Sequence, residues 1–116
     1  MRVATAPLTL ASVTPAAIGA MPTMTPTATK TSAYDAVAWD IVCYDATGGA
    51  FQINLPASPD VGDRVEFAEV GNSANTLTVG RNGNDIENAA ANVTIAVAAS
   101  YYGFVYISAG YGWKRY

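Results

Sequence analysis

Phe51, Ile53 and Leu55 alternate with Gln52 and Asn54, and Val65 and Phe67 alternate with Arg64, Glu66 and Ala68. A two-residue period of this kind marks strands with one buried face. Between the two runs, Pro56 lacks the N–H that would extend the first ladder, Pro59 fixes φ, and Gly62 supplies the backbone freedom of a tight reversal before Asp63. The pattern predicts a hairpin-like connection. The same reasoning predicts strands over about Tyr34 to Tyr44, Ala50 to Leu55, Arg64 to Ala68, Thr76 to Arg81, Asn92 to Ala98, Tyr102 to Ile107 and Gly112 to Arg115. Turn clusters separate them at Asp45 to Gly49, Gly71 to Asn75, Arg81 to Asp85 and Ser108 to Gly110. No segment carries a sustained helical stripe, and Glu87 to Ala91 has room for one turn only. The expectation is an all-β domain over residues 33–116, a small antiparallel sandwich or barrel of about seven strands.

Two of these predicted strands are apolar on both sides. Ala36 to Tyr44 carries Val37, Trp39 and Ile41 on one parity and Val42 on the other, while Val93, Ile95 and Val97 alternate with Thr94 and alanines. A small lone sandwich exposes one face of each sheet, so a second apolar face calls for cover by another subunit. Val37, Trp39, Ile41, Val93, Ile95 and Val97 are therefore the expected subunit-interface residues.

Residues 1–32 differ in kind. They hold four of the six prolines, eight threonines and seven alanines, with Arg2 and Lys30 as the only charges. Pro7, Pro15, Pro22 and Pro26 forbid a long helix and bias their neighbours toward extended geometry. This segment reads as an extended N-terminal arm that drapes over a partner, with Arg2, Val3, Leu8, Leu10, Ile18, Met21, Met24 and Lys30 as its contact residues. Its first twenty residues superficially resemble a signal peptide, but Pro7, Pro15 and the interspersed threonines break the apolar run, so an uncleaved arm is expected.

Composition narrows the function classes. The 116 residues suit one domain with a modest core. Half of them are hydrophobic and only 13% charged, where about a quarter is usual, which again points to surface covered by other subunits. No apolar run reaches a membrane span's roughly 18 residues, so no membrane partner is expected. Residues 33–116 carry nine carboxylates and four bases, a net −5 against +2 in the arm, which disfavours nucleic acid. Cys43 is the only cysteine and reads as a small core residue. The absence of histidine removes the commonest general base and metal ligand, so the chain is expected to be no enzyme and to use no cofactor.

Leu55-Pro56, the spacer to Gly62-Asp63, the run Leu77-Thr78-Val79-Gly80-Arg81-Asn82-Gly83, then Val93-Thr94-Ile95 and Gly110-Tyr111-Gly112-Trp113 occur in a telling order. Over roughly Trp39 to Trp113 the chain resembles a small β-module of tailed-phage virion proteins. The resemblance implies a homotrimeric structural module of the kind found in tail fibres and on capsid surfaces.

Candidate chemistry is sparse beside that. Asp60, Asp63, Asn82, Asn84 and Asp85 offer oxygen ligands but match no complete calcium loop, and no metal is expected. Glu66 with Glu69, or Asp85 with Glu87, are paired carboxylates of the type used in glycoside hydrolysis, without a cleft implied. Asn92-Val93-Thr94 fits a glycosylation sequon and reads as a strand beginning. Seven of the twelve aromatics fall in the last sixteen residues. Phe104 and Trp113 are expected in the core, with Tyr101, Tyr111 and Tyr116 as outer contacts able to stack on sugars. The leading expectation is a capsid decoration (cement) protein, trimeric on the phage head, whose arms bind the major capsid protein or another virion protein. A tail-fibre, baseplate or head-fibre component touching the host is the alternative, and a carbohydrate-binding module a second.

Overall fold

The computed structural model describes residues 22–116. They form β1 (Thr25–Pro26), β2 (Tyr34–Asp35), β3 (Asp40–Tyr44), β4 (Phe51–Asn54), β5 (Arg64–Glu69), β6 (Leu77–Gly80), β7 (Val93–Ile95), β8 (Tyr101–Ser108) and β9 (Gly112–Arg115). No helix occurs among the described residues, and the fold is all-β as expected. Two sheets result, one ordered β1-β3-β5-β8-β9 and the other β2-β4-β6-β7.

Both sheets are mixed, which corrects the antiparallel expectation. Successive strands from β1 to β6 fall alternately in the two sheets, so the chain winds between them and lays each new strand beside its predecessor in the same direction. β1·β3, β3·β5, β2·β4 and β4·β6 are parallel for this reason. A hairpin cannot join parallel neighbours. The Leu55–Gly62 connection accordingly crosses from one sheet to the other and closes no hairpin. After β6 the winding stops, and β6·β7, β5·β8 and β8·β9 are antiparallel.

The expected strand from Tyr34 to Tyr44 is two strands in different sheets. Asp40 breaks it: its carboxylate accepts the Val37 N–H (3.0 Å) and the Tyr34 hydroxyl (2.8 Å), while its own N–H donates to the Val37 carbonyl (3.1 Å). Trp39 in this turn has φ of 74°, a left-handed conformation rare for a bulky side chain. Likewise β7 ends at Ile95 and leaves Val97 in a connection. The two-sided apolar runs thus arise from the chain changing sheets, and that premise for an interface falls away.

Within the expected arm, β1 is already an edge of the five-stranded sheet. The Thr25, Thr27 and Lys30 N–H groups donate to the carbonyls of Trp39, Ile41 and Cys43 at 2.8–2.9 Å. The sheet therefore begins before the expected boundary at residue 33. Arg2, Val3, Leu8, Leu10, Ile18 and Met21 lie outside the described residues.

One core serves both sheets. Val42, Tyr44, Val65, Phe67, Phe104, Tyr106 and Trp113 from the first meet Ile53, Leu77, Val79 and Ile95 from the second. Phe104 and Trp113 are fully buried, as expected. Edge-to-face pairs join Phe67 to Phe104 (5.6 Å) and Tyr106 to Trp113 (5.3 Å), and Tyr44 to Phe51 between the sheets (6.3 Å). Cys43 is half-buried and has the opposite parity to Val42 and Tyr44, so it is no core residue.

Candidate contact face

Strand parity divides the five-stranded sheet into a core side and an outer side. Val65, Phe67, Phe104 and Tyr106 turn inward, which leaves Arg64, Glu66 and Ala68 of β5 and Tyr101, Gly103, Val105 and Ile107 of β8 on the outer side. Register then aligns Ile41 with Glu66 and Glu66 with Gly103. Beyond β9, Tyr116 exchanges both backbone hydrogen bonds with Gly103 (2.9 and 3.2 Å). Its ring sits over that glycine, where an added Cβ would lie 2.3 Å from the ring carbon bearing the hydroxyl. A residue without a side chain in the middle of a long strand is explained by this aromatic cover.

Glu66 is the hub. Tyr101 donates its hydroxyl to Glu66 Oε1 and Tyr116 donates to Glu66 Oε2, while the Arg64 guanidinium lies 5.1 Å from the Tyr116 ring centroid. Tyr101 and Tyr116 are 56% and 51% exposed, so the cluster is open to solvent. The hydrogen bond to Glu66, followed by burial, pushes the Tyr101 pKa from 10.0 up to about 12. Burial and the same carboxylate raise that of Tyr116. These interactions favour the protonated phenol in the folded state, so their stabilisation is present below pH 10 and is lost as pH rises through the folded value. Glu66→Ala is expected to bring Tyr101 ionisation back toward 10, read as tyrosinate absorbance in an alkaline titration; an unmoved titration would contradict the hub role of Glu66.

The other sheet's outer side is polar and uncharged apart from Asp35. Gln52 donates to Asn54 (2.7 Å) and Asn54 donates to Asp35 (2.9 Å), beside Thr78 and Thr94. The aromatic side of the five-stranded sheet is the better candidate for contact.

The structure brings Tyr101 and Tyr116 together through Glu66, whereas half-buried Tyr111 lies past the opposite end of β8. It does not assemble the expected interface set into one patch. Ile41 sits on the outer side beside Glu66, Trp39 in the turn before it, and Val37 and Val97 are exposed in connections. Val93 packs against the core, and Ile95 is buried in it, so Ile95 is not available to a neighbour. Of the arm residues described, Met24 is half-buried, and the Lys30 ammonium lies over the Tyr34 ring (4.1 Å). In the sequence Glu66 stood out only as a paired carboxylate, and Arg64, Glu66 and Gly103 were not placed on this face, although parity against Val65, Phe67 and Phe104 was a usable signal.

The paired carboxylates separate. Glu66 faces outward and Glu69 is buried at 6% exposure on the core side of β5. Glu87 is held by Lys114 (3.1 Å) and Arg115 (2.9 Å), and Asp85 by Arg81 (3.6 Å). The proposed oxygen ligands serve turns. Asn82 donates to the Leu55 carbonyl (3.0 Å), Asn84 to that of Ala57 (3.1 Å), and Asp63 accepts the Asp60 N–H (2.9 Å). The Asn92 side chain accepts the Arg81 N–H (2.9 Å). The Leu-Pro and Asn-Gly motifs are thus physically tied together. Comparison with known proteins yields no match to a family model and none to a curated sequence.

Proposed function

We propose that this chain is a structural protein of a tailed-phage virion, a capsid decoration protein that acts as a homotrimer of two-sheet sandwiches and is anchored on the shell by its N-terminal arms. The observation that carries this reading is the edge strand β1. Its hydrogen bonds to β3 fix the point at which residues 1–21 join the fold, at the rim of the five-stranded sheet. A Thr/Ala/Pro-rich segment attached at a fixed rim is suited to reach a neighbour without disturbing the core. The hydrogen bond from Asn82 to the Leu55 carbonyl sets two motifs of the module resemblance side by side.

The mechanism is mass action: a protein that binds only the assembled lattice stabilises that lattice. Three arms acting together add avidity, a gain of about 10²–10⁴ where geometry allows simultaneous engagement. Removing residues 1–21, which spares every strand among the described residues, is expected to leave melting unchanged and to weaken binding to capsids stripped of this protein by about 100-fold or more. Co-sedimentation measures this, and undiminished binding would refute the arm mechanism.

A further inference from the structure

We propose that the Arg64–Glu66–Tyr101–Tyr116 cluster is a binding site for the ring of a neutral sugar. Each Glu66 oxygen already accepts one tyrosine hydroxyl, and a carboxylate oxygen retains capacity for a further hydrogen bond. The result is a fixed pair of acceptors, spaced like the two donors of a vicinal diol. Arg64 forms no ion pair among the described residues, so its guanidinium offers donors on the same face. Tyr101, with the part of the Tyr116 ring that Gly103 and the Arg64 guanidinium leave open, supplies half-exposed aromatic surface on which the C–H face of a pyranose packs.

The chemistry selects this ligand over others. One carboxylate and one guanidinium balance within the cluster, so neither a phosphate nor a cation is favoured. Flat apolar surface edged by paired acceptors and donors matches a ring with one C–H face and a hydroxyl rim. The phenol–carboxylate–phenol network and the Tyr116 ring seated on Gly103 hold the groups in place beforehand, which lowers the entropy lost on binding. Because the site is flat, affinity for one sugar is expected to be weak, on the order of 1 mM, and to rise when several copies engage a polymeric glycan. The site stands whether the chain sits on a head or a tail.

The test uses the full chain and the methyl glycosides of glucose, galactose, mannose and N-acetylglucosamine at up to about 20 mM, well above the expected dissociation constant. Saturation-transfer NMR reads binding, and backbone amide shifts locate it. At least one glycoside should saturate, with shifts at Glu66, Tyr101, Gly103 and Tyr116. Tyr116→Ala and Glu66→Gln should each weaken it about tenfold or more, as should Gly103→Ala, which displaces the ring without removing a polar group. Tyr111→Ala should leave it unchanged. The proposal is overturned by no saturation with any glycoside, by shifts located elsewhere, or by shifts at this face that follow protein concentration alone. Capsid binding by the arm is read separately, so either idea can fail alone.

Discussion

Glu69→Ala is expected to lower stability by about 3 kcal/mol and the melting temperature by more than about 10 °C. Its buried carboxylate joins the connection that follows β5 to the one that precedes β8. Oε2 accepts the Gly71 N–H and Oε1 the Ala99 N–H, both at 2.8 Å. Hydrogen bonds to a charged group contribute about 1.5–3 kcal/mol each, less where water reaches the donor. Truncation leaves both donors without their partner, and it releases Ala99, which is held at φ of 56°. Burial alone would raise the pKa of Glu69; backbone donors from Ala99, Ser73, Gly71 and Asn72 outweigh it and hold the carboxyl below the ordinary 4.5. A depressed folded pKa contributes stability that is complete above the unfolded value and is lost as pH falls through the folded one. The stability gap between wild type and Glu69→Gln should therefore be constant above about pH 5 and close below it, as denaturant melts across pH would measure. A gap that persists to pH 2 would contradict this role.

Gly112→Ala is expected to cost about 2–5 kcal/mol, summing a left-handed backbone penalty and overpacking. Gly112 has φ of 82°, and an added Cβ would lie 1.9 Å from the Asp85 carbonyl oxygen. The obstacle is backbone and cannot swing aside. That carbonyl accepts the Trp113 N–H (2.9 Å), and the Trp113 carbonyl accepts the Glu87 N–H (2.7 Å), so any shift also loosens the fully buried indole. Gly110→Ala, with open space around its Cβ, is the internal control and should change stability by less than about 0.5 kcal/mol. Equal denaturation midpoints for the two variants would refute the argument.

Alternation made the strand segments legible, because Ile53 with Leu55 and Val65 with Phe67 report a buried face directly. The pairing of strands was hidden. A two-residue period says which side of a strand is buried but not which sheet it joins, and the parallel winding depends on contacts far apart in sequence. The break at Trp39 lacked the glycine, proline or asparagine that usually marks a reversal; Asp40, three residues beyond Val37, was its one local signal. Glu69 was readable, since it shares parity with Val65 and Phe67. The outer cluster was half readable: parity placed Arg64 and Glu66 on one side, while the meeting of Tyr116 with Gly103 required the register of β8 against the chain's end.

The claim that this is a capsid decoration protein is tested most directly by a cryo-electron reconstruction of the intact particle in which the chain is located. The account predicts trimers on the head at capsomer junctions, with residues 1–21 of each copy leaving the β1 rim to contact the shell. Density for this fold confined to the tail, or on the head with those residues directed away from the shell, would contradict it.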